Sequence, residues 1–275
     1  MAMFYKKPAP EGLLTDIRSG ASFVKANPET IGDLVWYDSD NYLQEPKEKA
    51  DRPKLFAKLM GAVAGAYKGS EFFVGTDGFA EYHFAKTRDN FDTIKEIPYD
   101  DVSILAVLLE ITDKDDDLRA QRDFDIGFLP QPDADGIARS LYTTHCLGNT
   151  VGYHFMTKAE EGFTAHVADK ARQQLDTGNP FTFYTVRQQS KGSDIWQTEE
   201  IIRLHPDGIY FDGQFYEGDA LKRVRLWKDR LEFVGEGLGA KLLRSRNPVL
   251  PLKNLGNRKA FQILLAERYG INLSY

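Results

Sequence analysis

The residues predict an α+β fold, mostly antiparallel β: two strand-rich modules, each closed by a C-terminal helix, behind a helical or irregular N-terminal segment. Three observations predict it. Eighteen Phe, thirteen Tyr and three Trp supply rings that suit pleated surfaces and bury large areas. Asp77-Gly78 and Asp207-Gly208 each lie between apolar runs, the pattern of a β-hairpin whose glycine supplies a positive φ. Apolar residues recur at helical spacing after each strand-rich stretch. The expected divisions are 1–66, 67–178 and 179–275.

In the first division, 11–26 is expected as a short helix carrying Leu13, Leu14 and Ile17. Residues 33–37 suit a strand, 44–53 a charged loop, and Leu55, Phe56, Leu59 and Val63 recur at helical spacing. Strands are then expected at 71–74, 79–84, 102–111, 123–129 and 140–147. The helix 158–176 follows, with Ala159, Phe163, Val167, Ala171 and Leu175 in i, i+4 steps and Gly178 as its stop. The order then recurs, with strands at 181–187, 200–204, 209–211, 220–227 and 230–234. Asn257 is expected to cap a last helix bearing Ala260, Phe261, Leu264 and Leu265, which ends near Gly270.

Cys146 is the single cysteine, which excludes an intramolecular disulfide and fits a reducing, cytoplasmic setting. The N-terminus has lysines without a following apolar run, so no signal peptide is expected. The longest apolar stretch, at 59–67, falls well short of the roughly 20 residues of a membrane span. The net charge is −6, unevenly spread: 179–275 holds 15 basic against 11 acidic residues, a balance of +4, which leaves −10 for 1–178. The basic half points to an anionic partner or to an electrostatic match between the halves.

Three motifs bear on chemistry. Gly235-Glu236-Gly237-Leu238-Gly239-Ala240 fits a dinucleotide fingerprint. Pro248 cuts short the helix such a site needs, and no acidic residue stands about 20 positions on, so a hairpin loop is expected. Residues 113–117 begin like a calcium loop, but Leu118 and Phe124 occupy positions that require glycine and a carboxylate. His145 and Cys146 are neighbours on an expected strand and point to opposite faces, so the histidine does not activate the thiol. No catalytic residue, metal site or cofactor is therefore expected.

A strand, an Asp-Gly turn, a second strand, an apolar Ile97-Pro98-Tyr99-Asp100-Asp101-Val102 strand and a closing helix resemble bacterial pleckstrin-homology-like (PH-like) domains. In the second half the corresponding residues are Asp207-Gly208-Ile209, then 226–231, with Pro251-Leu252-Lys253-Asn254 before the helix. The resemblance covers about residues 70–275. It implies a tandem of bent sandwiches or partly open barrels, each of about seven antiparallel strands plugged by its helix. It transfers no catalytic residue.

The basic set Lys222, Arg223, Arg225, Lys241, Arg244 and Arg246 is the candidate ligand site. Arginine's planar fork suits a phosphate or carboxylate, and alternation along 221–227 is expected to put Arg223 and Arg225 on one face. The alternative is a solvated strand face paired with Glu217, Asp219 and Glu232. The expected function is a non-catalytic interaction module for a protein partner or an anionic ligand such as a phospholipid headgroup. A hydrolase-type enzyme and a scaffold remain the alternatives. The overall negative charge argues against nucleic acid.

Overall fold

A computed structural model describes residues 2–3, 28–39, 43–44, 69–84, 91–112, 121–146, 150–234 and 247–273. The helix expected at 11–26, most of the loop at 44–53, the helical spacing at 55–63, the acidic run 113–117 and the glycine-rich motif 235–240 lie outside the described residues. The chain divides into two compact units, 1–101 with 149–162, and 102–148 with 163–275.

The first unit holds a four-stranded antiparallel meander, β1 (Leu34–Ser39), β2 (Gly69–Gly75), β3 (Gly78–Phe84) and β4 (Phe91–Pro98). The expected hairpin between β2 and β3 is present, but its turn is Thr76-Asp77. Gly78 is the first residue of β3 and is not at positive φ. A Cβ there would lie 2.6 Å from the Ile97 carbonyl oxygen, so the glycine serves close backbone approach rather than turn geometry.

Helix α1 (Val151–Asp176) begins seven residues before the expected start. Thr150 is the reason: its Oγ1 accepts the Tyr153 amide at 3.1 Å, an N-terminal cap. The added turns bring Phe155 to the meander, 4.7 Å from the Phe72 ring and 5.6 Å from the Phe79 ring. Gly178, at φ 87, ends the helix as expected, and its amide bonds the Leu175 carbonyl at 3.0 Å.

The second unit holds three sheets. One orders β5 (Ile104–Thr112), β6 (Gln121–Leu129) and β8 (Tyr142–Cys146) with β6 central, β7 (Ile137–Arg139) lying between the last two in sequence. The next runs β9 (Phe181–Gln188), β10 (Ile195–His205), β11 (Gly208–Phe211) and β12 (Gln214–Glu217), with β7 also pairing β10. The last is β13 (Val224–Leu226), β14 (Arg230–Phe233) and β15 (Val249–Pro251), followed by helix α2 (Arg258–Tyr269). These ladders are all antiparallel. Among the described residues no helix is long and apolar enough to cross a membrane.

Two elements of the second unit differ from expectation. The turn before β11 is Pro206-Asp207, and Gly208 is a strand residue whose Cβ would lie 2.5 Å from the Tyr216 carbonyl oxygen. The hairpin with positive φ at both turn residues is the next one, Asp212 at 52° and Gly213 at 75°, as a type I′ turn requires. The strand expected over 220–227 is shorter: Gly218–Arg223 forms a 3-10 helix entered through Gly218 at φ 51, and only 224–226 is extended. Apolar alternation alone does not distinguish three strand residues from a strand of eight.

The larger core is built from Phe183, Ile202, Leu204, Phe211, Leu226, Leu231, Phe233 and Leu250, closed by Phe261, Leu264 and Leu265 of α2. Ala171 and Leu175 of α1 join it, which departs from a helix serving only the strands before it. A 26-residue helix is about 39 Å long and outreaches a single small sheet. Phe261 is fully buried with its ring 4.9 Å from Phe183. Phe261→Ala is expected to cost about 3–5 kcal/mol in denaturant unfolding; a loss below about 1 kcal/mol would show that this ring does not fill the core.

Candidate functional site

An open groove of about 750 Å³ crosses one face of the sheet formed by β7, β10 and β9. Its floor follows from strand alternation. Val186 and Trp196 point inward and are buried, while Thr185, Arg187, Gln197 and Glu199 take the other face. Cross-strand register sets Arg187 opposite Gln197 and Thr185 opposite Glu199.

Both walls are tied to the floor by backbone hydrogen bonds. On one side Asp133 folds the chain into β7: its Oδ1 accepts the Asp135 amide at 3.0 Å and the Ile137 amide at 2.8 Å. Gly136, at φ 73, then turns its carbonyl to the Thr198 amide at 2.7 Å and the Thr198 hydroxyl at 2.9 Å. On the other side residues 252–257 run along the outer edge of β9. The Val186 amide bonds the Asn254 carbonyl at 2.8 Å, the Gly256 amide bonds the Tyr184 carbonyl at 2.9 Å, and Leu255 bridges Thr185. This strap also covers backbone groups that a strand edge would otherwise expose.

The charges in the groove are its distinguishing property. Arg187 and Lys253 line it, as do Asp135 and Glu199. None of the four side chains has an ion pair or hydrogen bond among the described residues, and all four are exposed. A recess of about 310 Å³ continues from it, sharing Val186, Arg187, Lys253 and Asn254 and adding Lys191 and Asp125. Asp125 is buried, with its Oδ1 2.8 Å from His145 Nδ1 across the β6–β8 pair. His145 is exposed and Cys146 is buried, the opposite-face arrangement expected of strand neighbours.

The described members of the basic set expected from the sequence, Lys222, Arg223 and Arg225, do not line this groove. Lys222 donates to Asp219 at 2.7 Å; that bond holds the Asp219 carboxyl below its usual range and lifts the Lys222 ammonium. Arg225 stands opposite Glu232 on β14. A hydrogen bond from Asn247 at 2.9 Å is the first cause holding Glu232 below the usual carboxylate range, with Trp227 Nε1 at 3.3 Å and the charges of Arg230 and Arg225 adding to it. Arg223 ends the 3-10 helix, so strand alternation does not place it on a face with Arg225. Lys241, Arg244 and Arg246 lie outside the described residues. Arg187 and Lys253 escaped the sequence reading because 66 positions separate them and only the strap along β9 brings them together. The one local signal was Asp133-Ala134-Asp135-Gly136, a turn sequence before a short strand.

Comparison with models of known protein families, with curated proteins and with solved structures returns no match.

The wall built on Asp133 is directly testable. Asp133→Ala removes acceptors for two amides and is expected to cost about 1–2 kcal/mol, with faster hydrogen exchange at Ile137 and Thr198. Unchanged exchange at both amides would show that the turn stands without the carboxylate.

Proposed function

We propose that the chain is a non-catalytic interaction protein built as a tandem of PH-like modules, and that the groove over β9 and β10 receives the anionic group of its ligand. The tandem reading is supported by an order that occurs twice along the chain. Four meandering strands, three further paired strands and a helix run from β1 to α1, and the same series runs from β9 to α2. β7 is the addition that breaks the parallel. A cytoplasmic location, suggested by the lone cysteine, belongs to the same proposal.

The observation that carries the binding reading is the pair Arg187 and Lys253, two cations without counter-ions among the described residues on a floor and wall fixed by backbone bonds. Such cations gain charge-assisted hydrogen bonds from a phosphate or carboxylate without giving up an ion pair to a described residue. Lys222 already spends its ammonium on a neighbouring carboxylate, and Arg225 faces one.

Inositol hexakisphosphate, titrated calorimetrically, serves as the soluble probe, and vesicles containing phosphatidylserine serve as the lipid probe. Arg187→Ala/Lys253→Ala is expected to weaken binding at least about tenfold, and raising salt from about 50 to 300 mM weakens the wild type further. Binding lost in Lys222→Ala/Arg225→Ala but kept in the groove variant would move the site to 218–233. Binding of neither probe by the wild type would remove the reading.

A further inference from the structure

The charges of the groove are segregated, and this carries the binding reading one step further, on which the inference rests. The recess shares Arg187 and Lys253 with the groove but neither Asp135 nor Glu199. The cation end therefore holds Arg187, Lys253 and Lys191 with the buried Asp125, and the exposed carboxylates Asp135 and Glu199 mark the other end. Glu199 lies opposite Thr185, two residues before Arg187 on the same face. That offset is about 7 Å along the strand and about 5 Å across it. The exposed apolar residues of the lining are Ile137 and Pro251, while Val186 points into the core beneath.

A ligand that is only anionic gains Arg187 and Lys253 but also meets Glu199 and Asp135 within roughly a Debye length, so it binds more weakly than one that answers both ends. We infer that the occupant is an extended peptide segment of a partner protein carrying an acidic and a basic side chain two residues apart. In an extended chain those side chains point to the same side about 7 Å apart, the offset the floor presents. The acidic side chain meets Arg187 and Lys253, the basic one meets Glu199 and Asp135, and the residue between them faces away from the floor. The apolar lining takes the stems of the two charged side chains, since long charged side chains bury their methylenes while the heads stay polar.

The experiment selects a phage-displayed library of random dodecapeptides on the wild-type protein and on Glu199→Lys, an exposed substitution that neutralises the acidic end, where Asp135 remains. On the wild type, acidic-x-basic pairs in either chain direction are expected to be enriched about tenfold over the unselected library. On Glu199→Lys the preference for the basic member should be lost while the preference for the acidic member is kept. No enrichment on either protein, or a pattern that Glu199→Lys leaves unchanged, overturns the inference. Inositol hexakisphosphate binding through Arg187 and Lys253 would in that case leave the anion reading standing, and its absence would end both.

Discussion

One buried side chain, Asn257, ties the start of α2 to the start of β5. Its Oδ1 accepts the Leu105 amide at 2.7 Å and its Nδ2 donates to the Ser103 carbonyl at 2.9 Å, while its own amide bonds the Leu105 carbonyl at 2.9 Å. The residue is 6% exposed and sits at φ 55, a left-handed conformation that costs a non-glycine residue about 1–2 kcal/mol. Buried amide bonds of this kind offset that cost, and an unmet Leu105 amide would add to it. Asn257 thereby fixes the entry to α2 against β5. The strap 252–256, which precedes it directly, is held along β9 by the Tyr184 and Val186 bonds.

The closeness of that strap has its own requirement. A Cβ on Gly256 would fall 2.5 Å from Ile104 Cγ2, so only glycine lets the strap lie against the small core of Ile104, Ala106, Leu129, Val186 and Trp196. That core lies beneath the groove floor, because Val186 and Trp196 point into it while their strand neighbours Arg187 and Gln197 face out. Groove and core are two faces of one pair of strands. A floor backed by packed side chains and walls held by backbone bonds fixes the backbone from which these exposed charged side chains extend, so binding has to order the side chains but not the strands.

What could be read from the sequence follows from the range of each interaction. The mostly antiparallel fold, the two long helices and the hairpins at 75–78 and 205–208 rest on periodicity and turn residues within a few positions of one another, and each is present. Asn257 shows where such reading stops. Its position before α2 was legible, but its side chain makes no cap bond and is used 152 residues away at Leu105. The pairing of β7 with β10 is equally non-local. The basic run 222–225 drew attention because its charges are adjacent in sequence, and adjacency also supplied Lys222 with Asp219 as a partner. Arg187 and Lys253 carry no local pattern, and their meeting depends on the strap.

Asn257 anchors the end of the strap, and through it one wall of the groove. Amide hydrogen exchange in wild type and Asn257→Ala, compared at Leu105, Val186 and Gly256, tests it most directly. The account predicts that the substitution accelerates exchange at all three, with Val186 and Gly256 opening together because both bonds belong to the strap. Faster exchange at Leu105 alone, with Val186 and Gly256 still protected, would contradict it and show that the strap holds to β9 without Asn257.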